Sequence, residues 1–198
     1  MFQFKFLNEL NQCLKTIKDG GIILYPTDTV YGLGGNANDN NVTRKINHIK
    51  KRELNQPLIH LMSDIEMVNC YVENISETAI EFLSDSNPTT VIFSNSKVKN
   101  TNQNSIAVRI PYDNFCQNLI KELKHPLSST SANLHGFEVP NSLKRIDKLI
   151  KDNVDYIVRT SKVFNNKPSR IIKMIGDNEF KVIRLSLIHI SEPTRQDR

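Results

Sequence analysis

A helical pattern of apolar residues opens the chain. Between residues 6 and 17 they recur every three or four positions, which predicts an amphipathic helix that Gly20 ends. Ser76 and Thr78 precede Glu81 in the manner of a capping box, at the start of another predicted helix. The same apolar spacing predicts helices at 42–51, 76–83, 114–123 and 142–150.

Short apolar runs predict the strands. Runs of three to six such residues between turn residues lie at 22–25, 58–62, 89–93, 106–110, 156–158, 170–175 and 180–183. The Gly- and Asn-rich stretch after Pro26 is predicted to be a polar turn. A short strand from Leu127 to Ser129 is expected to lead into a hydroxyl-rich loop. Because strands and helices do not alternate strictly, we expect one α/β domain with a mixed sheet over residues 1–186.

The composition is that of a globular protein without a membrane span. Of 198 residues, 38% are hydrophobic and 24% are charged, and no apolar run approaches the roughly 20 residues that a bilayer requires. The first ten residues lack the regions of a signal peptide. Cys13, Cys70 and Cys116 form neither a zinc motif nor a disulfide framework, so a cytoplasmic location is expected.

The net charge of the chain is +5. A basic balance favours anionic partners such as nucleotides or RNA. A solvated, lysine-rich surface would give the same value, so charge alone does not decide between these interpretations.

The last twelve residues, 187–198, follow no periodicity established before them. Their sequence, LIHISEPTRQDR, resembles a peptide produced when adapter or vector sequence is read through as coding sequence. We therefore treat this segment as a non-native tail and leave it out of the fold prediction. A short native tail is the alternative.

The first segment with candidate chemistry is YPTDTVYGLGG, which starts at Tyr25. Its hydroxyls and its carboxylate surround a turn that glycines could bring close to a ligand. Residues 32–37 match the dinucleotide pattern G-x-G-x-x-A, but a polar loop follows them instead of the helix of a βαβ unit, and no P-loop lysine is present. A ligand-binding turn and a turn with only local hydrogen bonds are about equally compatible with the spacing.

The second segment is KKRELNQP, in which Lys50 and Arg52 are the candidate functional cations. Cations at the end of a helix can also simply complement the helix dipole. Positions i and i+2 share a side in extended chain but not in a helix, so a joint role requires the helix to unwind near Lys50. We expect both side chains to be exposed and flexible, and able to bind a triphosphate or a carboxylate.

The third segment is SSTSANLHG, which starts at Ser128. Hydroxyls and main-chain N–H groups in such a turn can form an anion-binding nest, although a polar loop that caps a helix is the alternative. His60 and His135 are isolated histidines and are expected to be structural or surface residues. No serine or cysteine lies in a convincing nucleophile pattern.

In this order, PTDTVYGLGG, KxRxxxxPL and SSTSANLHG resemble the YrdC family of threonylcarbamoyl-AMP synthases. The flanking strings SNPTTVIF, IAVRIP and KPSRII also look like segments of this family, and the resemblance covers roughly residues 5–185. It implies a twisted mixed sheet flanked by helices, with a deep basic cavity. The chain departs from the family pattern at Arg170, where a threonine is common. A second departure is Leu61, where many members have histidine, and a third is the Leu185-Ser186 ending.

The resemblance also implies the site residues. Lys50 and Arg52 match catalytic cations of the family, and no protein ligand for a metal is implied. The matching substrate- or ATP-binding positions are Thr27, Thr29, Tyr31, Arg109, Ser129, Ser131, Asn133, Ser169 and Arg184.

The implied activity is that of a nucleotidyltransferase. It would make threonylcarbamoyl-AMP from threonine, bicarbonate and ATP, release pyrophosphate, and use Mg²⁺ held mainly by the phosphates. The product would pass to a tRNA-modifying threonylcarbamoyl transferase. Two alternatives remain open, namely a module that binds double-stranded RNA or tRNA without chemistry, and a related branch of the family with a different or lost activity.

Overall fold

The computed structural model describes residues 2–97, 105–159, 164 and 167–185, with side chains from residue 6. The predicted tail, 187–198, lies outside these residues. The helices in the described part are α1 (Phe2–Lys18), α2 (Asn40–Ile49), α3 (Ile65–Tyr71), α4 (Glu77–Ser84), α5 (Asn114–Leu123) and α6 (Lys148–Asp152), preceded by a 3₁₀ turn at Leu143–Arg145. None of them is long and apolar enough to cross a bilayer.

Nine strands form one mixed sheet in the described part of the chain. They are β1 (Ile23–Pro26), β2 (Tyr31–Asn36), β3 (Ile59–Leu61), β4 (Thr89–Phe93), β5 (Ile106–Arg109), β6 (Leu127–Ser131), β7 (Tyr156–Ile157), β8 (Arg170–Met174) and β9 (Phe180–Arg184). Their order across the sheet is β7-β1-β2-β6-β3-β5-β4-β8-β9. The pairs β1–β7, β3–β5 and β4–β8 are parallel and the others antiparallel, so the predicted mixed sheet is confirmed.

Helices cover one face of the sheet along most of its width. Helices α2 and α6 pack there against Leu24 and Leu33, and α3 and α4 pack against Val91 and Val108. These contacts bury the apolar residues of both helix pairs, which is the main stabilising term of such a layer.

On the opposite face, helices α1 and α5 cover only one part of the sheet. They pack against Tyr25, Leu61 and Leu127. Farther along the same face, Ala107 and Ile171 stay half-exposed. This face is therefore the accessible side of the sheet.

Two predicted loops are strands instead. The stretch after Pro26 contains β2, and the hydroxyl-rich segment from Leu127 continues as β6 to Ser131. Gly and Ser have low strand propensity, but both strands lie in the interior of the sheet, where ladder pairing decides. An added Cβ at Gly34 would lie 2.2 Å from the carbonyl oxygen of Ser128, so glycine is required for this close pairing.

The helix predictions also need correction at three places. Helix α3, with Asp64 as its N-cap, was not predicted. The helix expected at 142–150 is divided into a 3₁₀ turn and α6. Ser76 does cap α4, but its hydroxyl accepts from the N–H of Ala79, so Glu81 is not at the position that a capping box requires. The predicted end of the first helix is confirmed by Gly20, whose φ of +74° suits glycine.

Candidate active site

Lys50 is the centre of the first group of predicted site residues. It is the C-cap of α2 and is only 3% exposed. Its Nζ donates to the main-chain oxygens of Ser131 and Asn133, each at 2.5 Å, and to Asn133 Oδ1 at 3.4 Å. An ammonium carries three donors, so these three oxygens account for all of them.

The predicted exposure of Lys50 is therefore wrong, whereas the predicted end of the helix is confirmed. Lys51, the next residue, has a φ of +53°, which takes the chain out of the helix. Burial and, to a smaller extent, the nearby charge of Arg52 lower the pKa of the Lys50 ammonium to about 7. The carbonyl oxygens that accept from Nζ oppose this shift, because they stabilise the charged form.

Asn47 holds Arg52 beside the lysine. The Arg52 Nε donates to Asn47 Oδ1 at 2.7 Å. The amide of Asn47 in turn donates to the carbonyl oxygens of Leu54 and Gln56, at 2.7 and 2.9 Å. One guanidinium nitrogen of Arg52, Nη2, is buried without a hydrogen-bond partner. The group thus retains a donor directed at no protein atom.

The loop that follows β6 completes this group. Ser131 Oγ donates to Asn133 Oδ1 at 2.5 Å, and the Asn133 amide donates to the carbonyl oxygen of Phe137 at 2.7 Å. The N–H of His135 donates to the carbonyl oxygen of Lys50 at 3.1 Å. We call Lys50, Arg52, Asn47, Ser131 and Asn133 the lysine cluster.

The second group is built on the turn between β1 and β2. Thr27 Oγ1 accepts from the N–H groups of Thr29 and Val30 and donates to the Val30 carbonyl oxygen at 2.6 Å, which fixes the turn. Arg109 Nη1, at the end of β5, donates to Thr29 Oγ1 at 3.0 Å. Arg109 Nη2 lies 3.1 Å from Asp28 Oδ1, and both side chains are more than nine-tenths buried.

Contact between this turn and Arg109 requires a curved sheet. Strands β2 and β5 are separated by β6 and β3, which would put them about 14 Å apart in a flat sheet. This is more than an arginine side chain can span. The turn therefore bends over the accessible face of the sheet, as expected for a strongly twisted sheet.

Arg184 and Ser169 extend the second group across β8 and β9. The guanidinium of Arg184 donates to the carbonyl oxygen of Ser169, at 2.8 Å from Nη2 and 3.2 Å from Nε. Ser169 Oγ lies 2.8 Å from Thr90 Oγ1. Arg184 is exposed along its length, but partial burial of its guanidinium, together with the charge of Arg109, lowers the pKa of the group. We call Asp28, Thr29, Arg109, Ser169 and Arg184 the arginine cluster.

Strand alternation puts one residue of each cluster, Ser131 and Arg109, on the accessible face. Ser129 pairs with Ile59, Ile59 with Ala107, and Arg109 is two residues beyond Ala107 on the same side of β5. Ser131 is likewise two residues beyond Ser129 on β6. Paired residues, and residues two apart on one strand, project to the same side of a sheet. The side chains of Ser131 and Arg109 thus project to the same side of the sheet, whereas Lys50 reaches the loop after β6 from the end of α2.

Tyr25 lies between the clusters. Its buried hydroxyl donates to Ser129 Oγ at 2.9 Å. The ring lies across Gly32, where an added Cβ would come within 3.1 Å of Tyr25 Cζ. We expected the glycines to let a ligand approach, but Gly32 makes room for this aromatic ring instead.

The structure brings all of the predicted site residues to these clusters or next to them, except Tyr31. Tyr31 is buried under α2, and its ring meets that of Phe164 edge-on at 4.9 Å. Its carbonyl oxygen accepts from the N–H of Ala132 at 2.8 Å, so it supports the loop of the lysine cluster from the other face.

Arg170, which departs from the family pattern, and His60, which precedes the second departure at Leu61, lie outside the clusters. Arg170 pairs with Asp85 at 2.5 Å and lies over the ring of Phe82, on the side of β8 opposite to Ser169. His60 points away from the face that carries Leu61, and burial lowers its pKa to about 4. Leaving His60 out of the predicted site agrees with this placement.

Four residues that the clusters use were not predicted as site residues. Asp28 and Tyr25 stand inside the first motif, whose carboxylate was expected at the turn but was given no role. Asn47 and Thr90 act through hydrogen bonds to Arg52 and Ser169, and nothing in their local sequence indicates such a role.

The predicted deep basic cavity stays a prediction. One groove of about 430 Å³ lies elsewhere, between α2 and α6, and is lined partly by Arg44, Lys45 and His48. It contains no predicted site residue. No group of three or more His, Cys, Asp or Glu in the described part of the chain could hold a metal ion.

Comparison with known proteins agrees with the architecture. Over 159 residues the chain is 33% identical to a Methanocaldococcus jannaschii protein named, provisionally, a threonylcarbamoyl-AMP synthase; the match covers 78% of this chain and 75% of the relative. It is 30% identical over 154 residues to the Psychromonas ingrahamii threonylcarbamoyl-AMP synthase, covering 74% of this chain and 81% of that protein.

A solved structure is also similar. The P. abyssi Sua5 complexed with L-threonine superposes with a TM-score of 0.75 at 26% identity, covering 83% of this chain. The chain spans half the length of that protein, 50%. The family model Sua5/YciO/YrdC, described as telomere recombination, matches residues 15–186. This chain belongs to the Sua5/YciO/YrdC family.

Proposed function

We propose that this chain is a threonylcarbamoyl-AMP synthase. It would join L-threonine, bicarbonate and ATP into L-threonylcarbamoyl-AMP and release pyrophosphate, which makes it a nucleotidyltransferase. The names of its relatives support this activity. The observation that carries the proposal is the hydrogen bond between Arg109 and Thr29, which joins two separate motifs at one buried point.

The arginine cluster would bind threonine. Arg109 and Arg184 supply positive charge for the α-carboxylate, and one carboxylate, that of Asp28, offsets only part of it. Thr29 Oγ1 and Ser169 Oγ are hydroxyls beside this charge. A P. abyssi Sua5 structure with L-threonine supports a threonine site in this family.

The lysine cluster would bind the triphosphate of ATP. Lys50 contributes charge, and Arg52 contributes the buried Nη2 donor that has no protein partner. The Lys50 ammonium holds the Ser131–Asn133 loop in one conformation by its contacts with main-chain oxygens. Preorganised charge of this kind stabilises a phosphoryl transition state without reorganisation.

The chemistry requires positioning more than a side-chain nucleophile. The threonine amine adds to bicarbonate, and loss of water gives a carbamate. A carbamate oxygen then attacks the α-phosphorus of ATP, while the bond between the α-phosphorus and the bridging oxygen breaks and pyrophosphate leaves. Holding the two substrates on the two clusters would favour this attack.

Other components follow from the reaction. Mg²⁺ would enter with ATP, held mainly by phosphate oxygens and water, since the described residues form no carboxylate cage. The product would go to a tRNA-modifying threonylcarbamoyl transferase in the cytoplasm. An RNA-binding module without chemistry is not favoured, because the relatives are named as synthases.

The test is a pyrophosphate assay with the purified chain. We expect release that depends on threonine, bicarbonate and ATP together, and a product with the mass of threonylcarbamoyl-AMP. Arg52→Met should greatly reduce release, while Arg145→Met, in the 3₁₀ turn, serves as a matched control. RNA binding without pyrophosphate release would contradict the proposal.

A further inference from the structure

Asp28 stands between the two threonines of the β1–β2 turn, and its carboxylate is buried. Its side chain is 9% exposed, and that of its partner Arg109 is 5% exposed. Asp28 Oδ1 lies 3.1 Å from Arg109 Nη2, and Oδ2 accepts from the N–H of Tyr112 at 3.4 Å. The carboxylate thus connects the turn to the end of β5.

The electrostatic surroundings explain why a carboxylate is needed there. The guanidinium of Arg184 lies near that of Arg109: burial lowers the pKa of Arg184, and the charge of Arg109 lowers it further. Two like charges in a partly buried site repel each other strongly. Asp28 offsets one of them, so the three side chains together keep one positive charge, which matches the single negative charge of an α-carboxylate.

The hydrogen bonds show which part of Arg109 stays available. Nη1 donates to Thr29 Oγ1, and Nη2 lies beside Asp28. Nε is buried without a hydrogen-bond partner, and so is Asp28 Oδ1, because its contact with Arg109 is an ion pair without hydrogen-bond geometry. Buried donors and acceptors are nearly always paired in folded proteins. These two atoms therefore indicate a site that a polar ligand completes.

We propose that Asp28 is a positioning residue that orients Arg109 to receive the carboxylate of the amino-acid substrate. This rests on the proposed function, since it assigns threonine to the arginine cluster. Without the carboxylate, the Arg109 guanidinium keeps only its bond to Thr29 and rotates away from the charge of Arg184. Threonine binding then weakens, while the lysine cluster and its ATP site keep their geometry.

Asp28→Asn tests the proposal, since it keeps the shape and removes the charge. We expect the KM for threonine to rise at least about tenfold, because one charge-assisted contact is lost. The KM for ATP should be unchanged. Asp28→Glu should recover part of the loss. Asp64→Asn, at the N-cap of α3, is the matched control for a carboxylate-to-amide change and should leave both constants unchanged.

Threonine binding measured by calorimetry without ATP separates this proposal from the synthase assignment. Threonine bound by the wild type and lost in Asp28→Asn would support the role of Asp28 even if no pyrophosphate were released. Wild-type turnover combined with an unchanged threonine KM in Asp28→Asn would overturn the inference and leave the synthase assignment intact. An equal rise in both KM values would also overturn it.

Discussion

The lysine and arginine clusters are stabilised in different ways. In the lysine cluster, the ammonium of Lys50 is saturated by oxygens of a loop about 80 residues away in the sequence. In the arginine cluster, the side chains bind one another, and Arg109 Nε and Asp28 Oδ1 remain buried without hydrogen bonds. The Lys50 ammonium is thus complete without a ligand, whereas Arg52 Nη2 and these two atoms of the arginine cluster are not.

This difference separates stability from binding. Removing Lys50 would leave main-chain oxygens buried and unpaired, so the fold itself depends on it. In the arginine cluster, by contrast, Arg109 Nε and Asp28 Oδ1 already lack hydrogen-bond partners. Substitution of Lys50 should therefore lower the free energy of unfolding as well as the activity, whereas substitution of Arg52 should mainly lower the activity.

Lys50→Met should have the largest effect. Methionine has nearly the volume of lysine but no donor, so the carbonyl oxygens of Ser131 and Asn133 lose their partner. We expect pyrophosphate release to fall below detection and the free energy of unfolding to drop by roughly 3 kcal/mol. Urea denaturation and the pyrophosphate assay measure the two effects. Lys51→Met is the control at an exposed neighbour, and an unchanged unfolding midpoint in Lys50→Met would contradict the structural role of Lys50.

Arg52→Met should reduce activity strongly with little loss of stability. Arg52 is half-buried, and its guanidinium is held by one hydrogen bond, which Nε donates to Asn47 Oδ1. Loss of a preorganised donor to a phosphoryl group costs roughly 2–4 kcal/mol of transition-state stabilisation, about 30-fold to 1,000-fold in rate. If Arg52→Met and Lys50→Met lose similar activity but differ in melting temperature, the structural role of Lys50 is separated from its role in binding. Wild-type turnover in Arg52→Met would remove Arg52 from the site.

Thr29→Val should change selectivity for the amino acid. Thr27 uses its only proton on the Val30 carbonyl oxygen, so the Thr29 hydroxyl donates to Thr27 and accepts from Arg109. One acceptor position remains for a substrate hydroxyl. Valine at position 29 removes this acceptor and leaves Arg109 Nη1 unpaired. We expect threonine binding to weaken by about 1–3 kcal/mol as a result.

The preference for threonine over valine should narrow in this variant, with the KM for ATP unchanged. In the wild type, serine should compete better than valine, because a site that reads a hydroxyl rejects an analogue without one. Pyrophosphate release with the three amino acids measures this order. If valine matched threonine in the wild type, the arginine cluster would not read the hydroxyl.

The pH dependence of ATP binding should report on Lys50. Its pKa is lowered to about 7 from an ordinary value of 10.5 by burial and by Arg52. Above about pH 7 the folded protein loses this charge, so ATP should bind more weakly, by up to about tenfold per pH unit. The unfolded chain keeps the proton up to its ordinary pKa, so the contribution of this group to the free energy of unfolding rises between these values.

Titration calorimetry with ATP between pH 7 and 9 measures this effect. Arg52→Met removes the neighbouring like charge and should move the midpoint to higher pH. A flat dissociation constant across this range would show that the Lys50 ammonium stays charged.

Most helices and strands could be predicted from the sequence, but the surroundings of the cluster side chains could not. Apolar runs identified β4 and β5 because most residues of both strands are buried. Strand β2 and the part of β6 beyond Ser129 were not predicted, because Gly and Ser have low strand propensity and the order of strands that makes these two central is a long-range property. Motif spacing found the cations, yet the burial of Lys50 depends on acceptors from the loop after β6, which local sequence does not encode.

Arg170→Thr should have the smallest effect and tests the boundary of the arginine cluster. Arg170 stands next to Ser169, and threonine is common here in the resembled family. Its guanidinium donates to Thr89 Oγ1 at 2.7 Å, pairs with Asp85 and lies over Phe82. Ser169 instead meets Thr90, on the other side of the strand.

The substitution should therefore keep both KM values within about twofold and lower the melting temperature slightly, since partly exposed ion pairs contribute little. Ser169→Ala, one position away, should raise the KM for threonine and serves as the positive comparison. If Arg170→Thr raised the KM for threonine as much as Ser169→Ala, the inference that only Ser169 lies on the side of the threonine site would be wrong. The arginine cluster would then include both sides of β8.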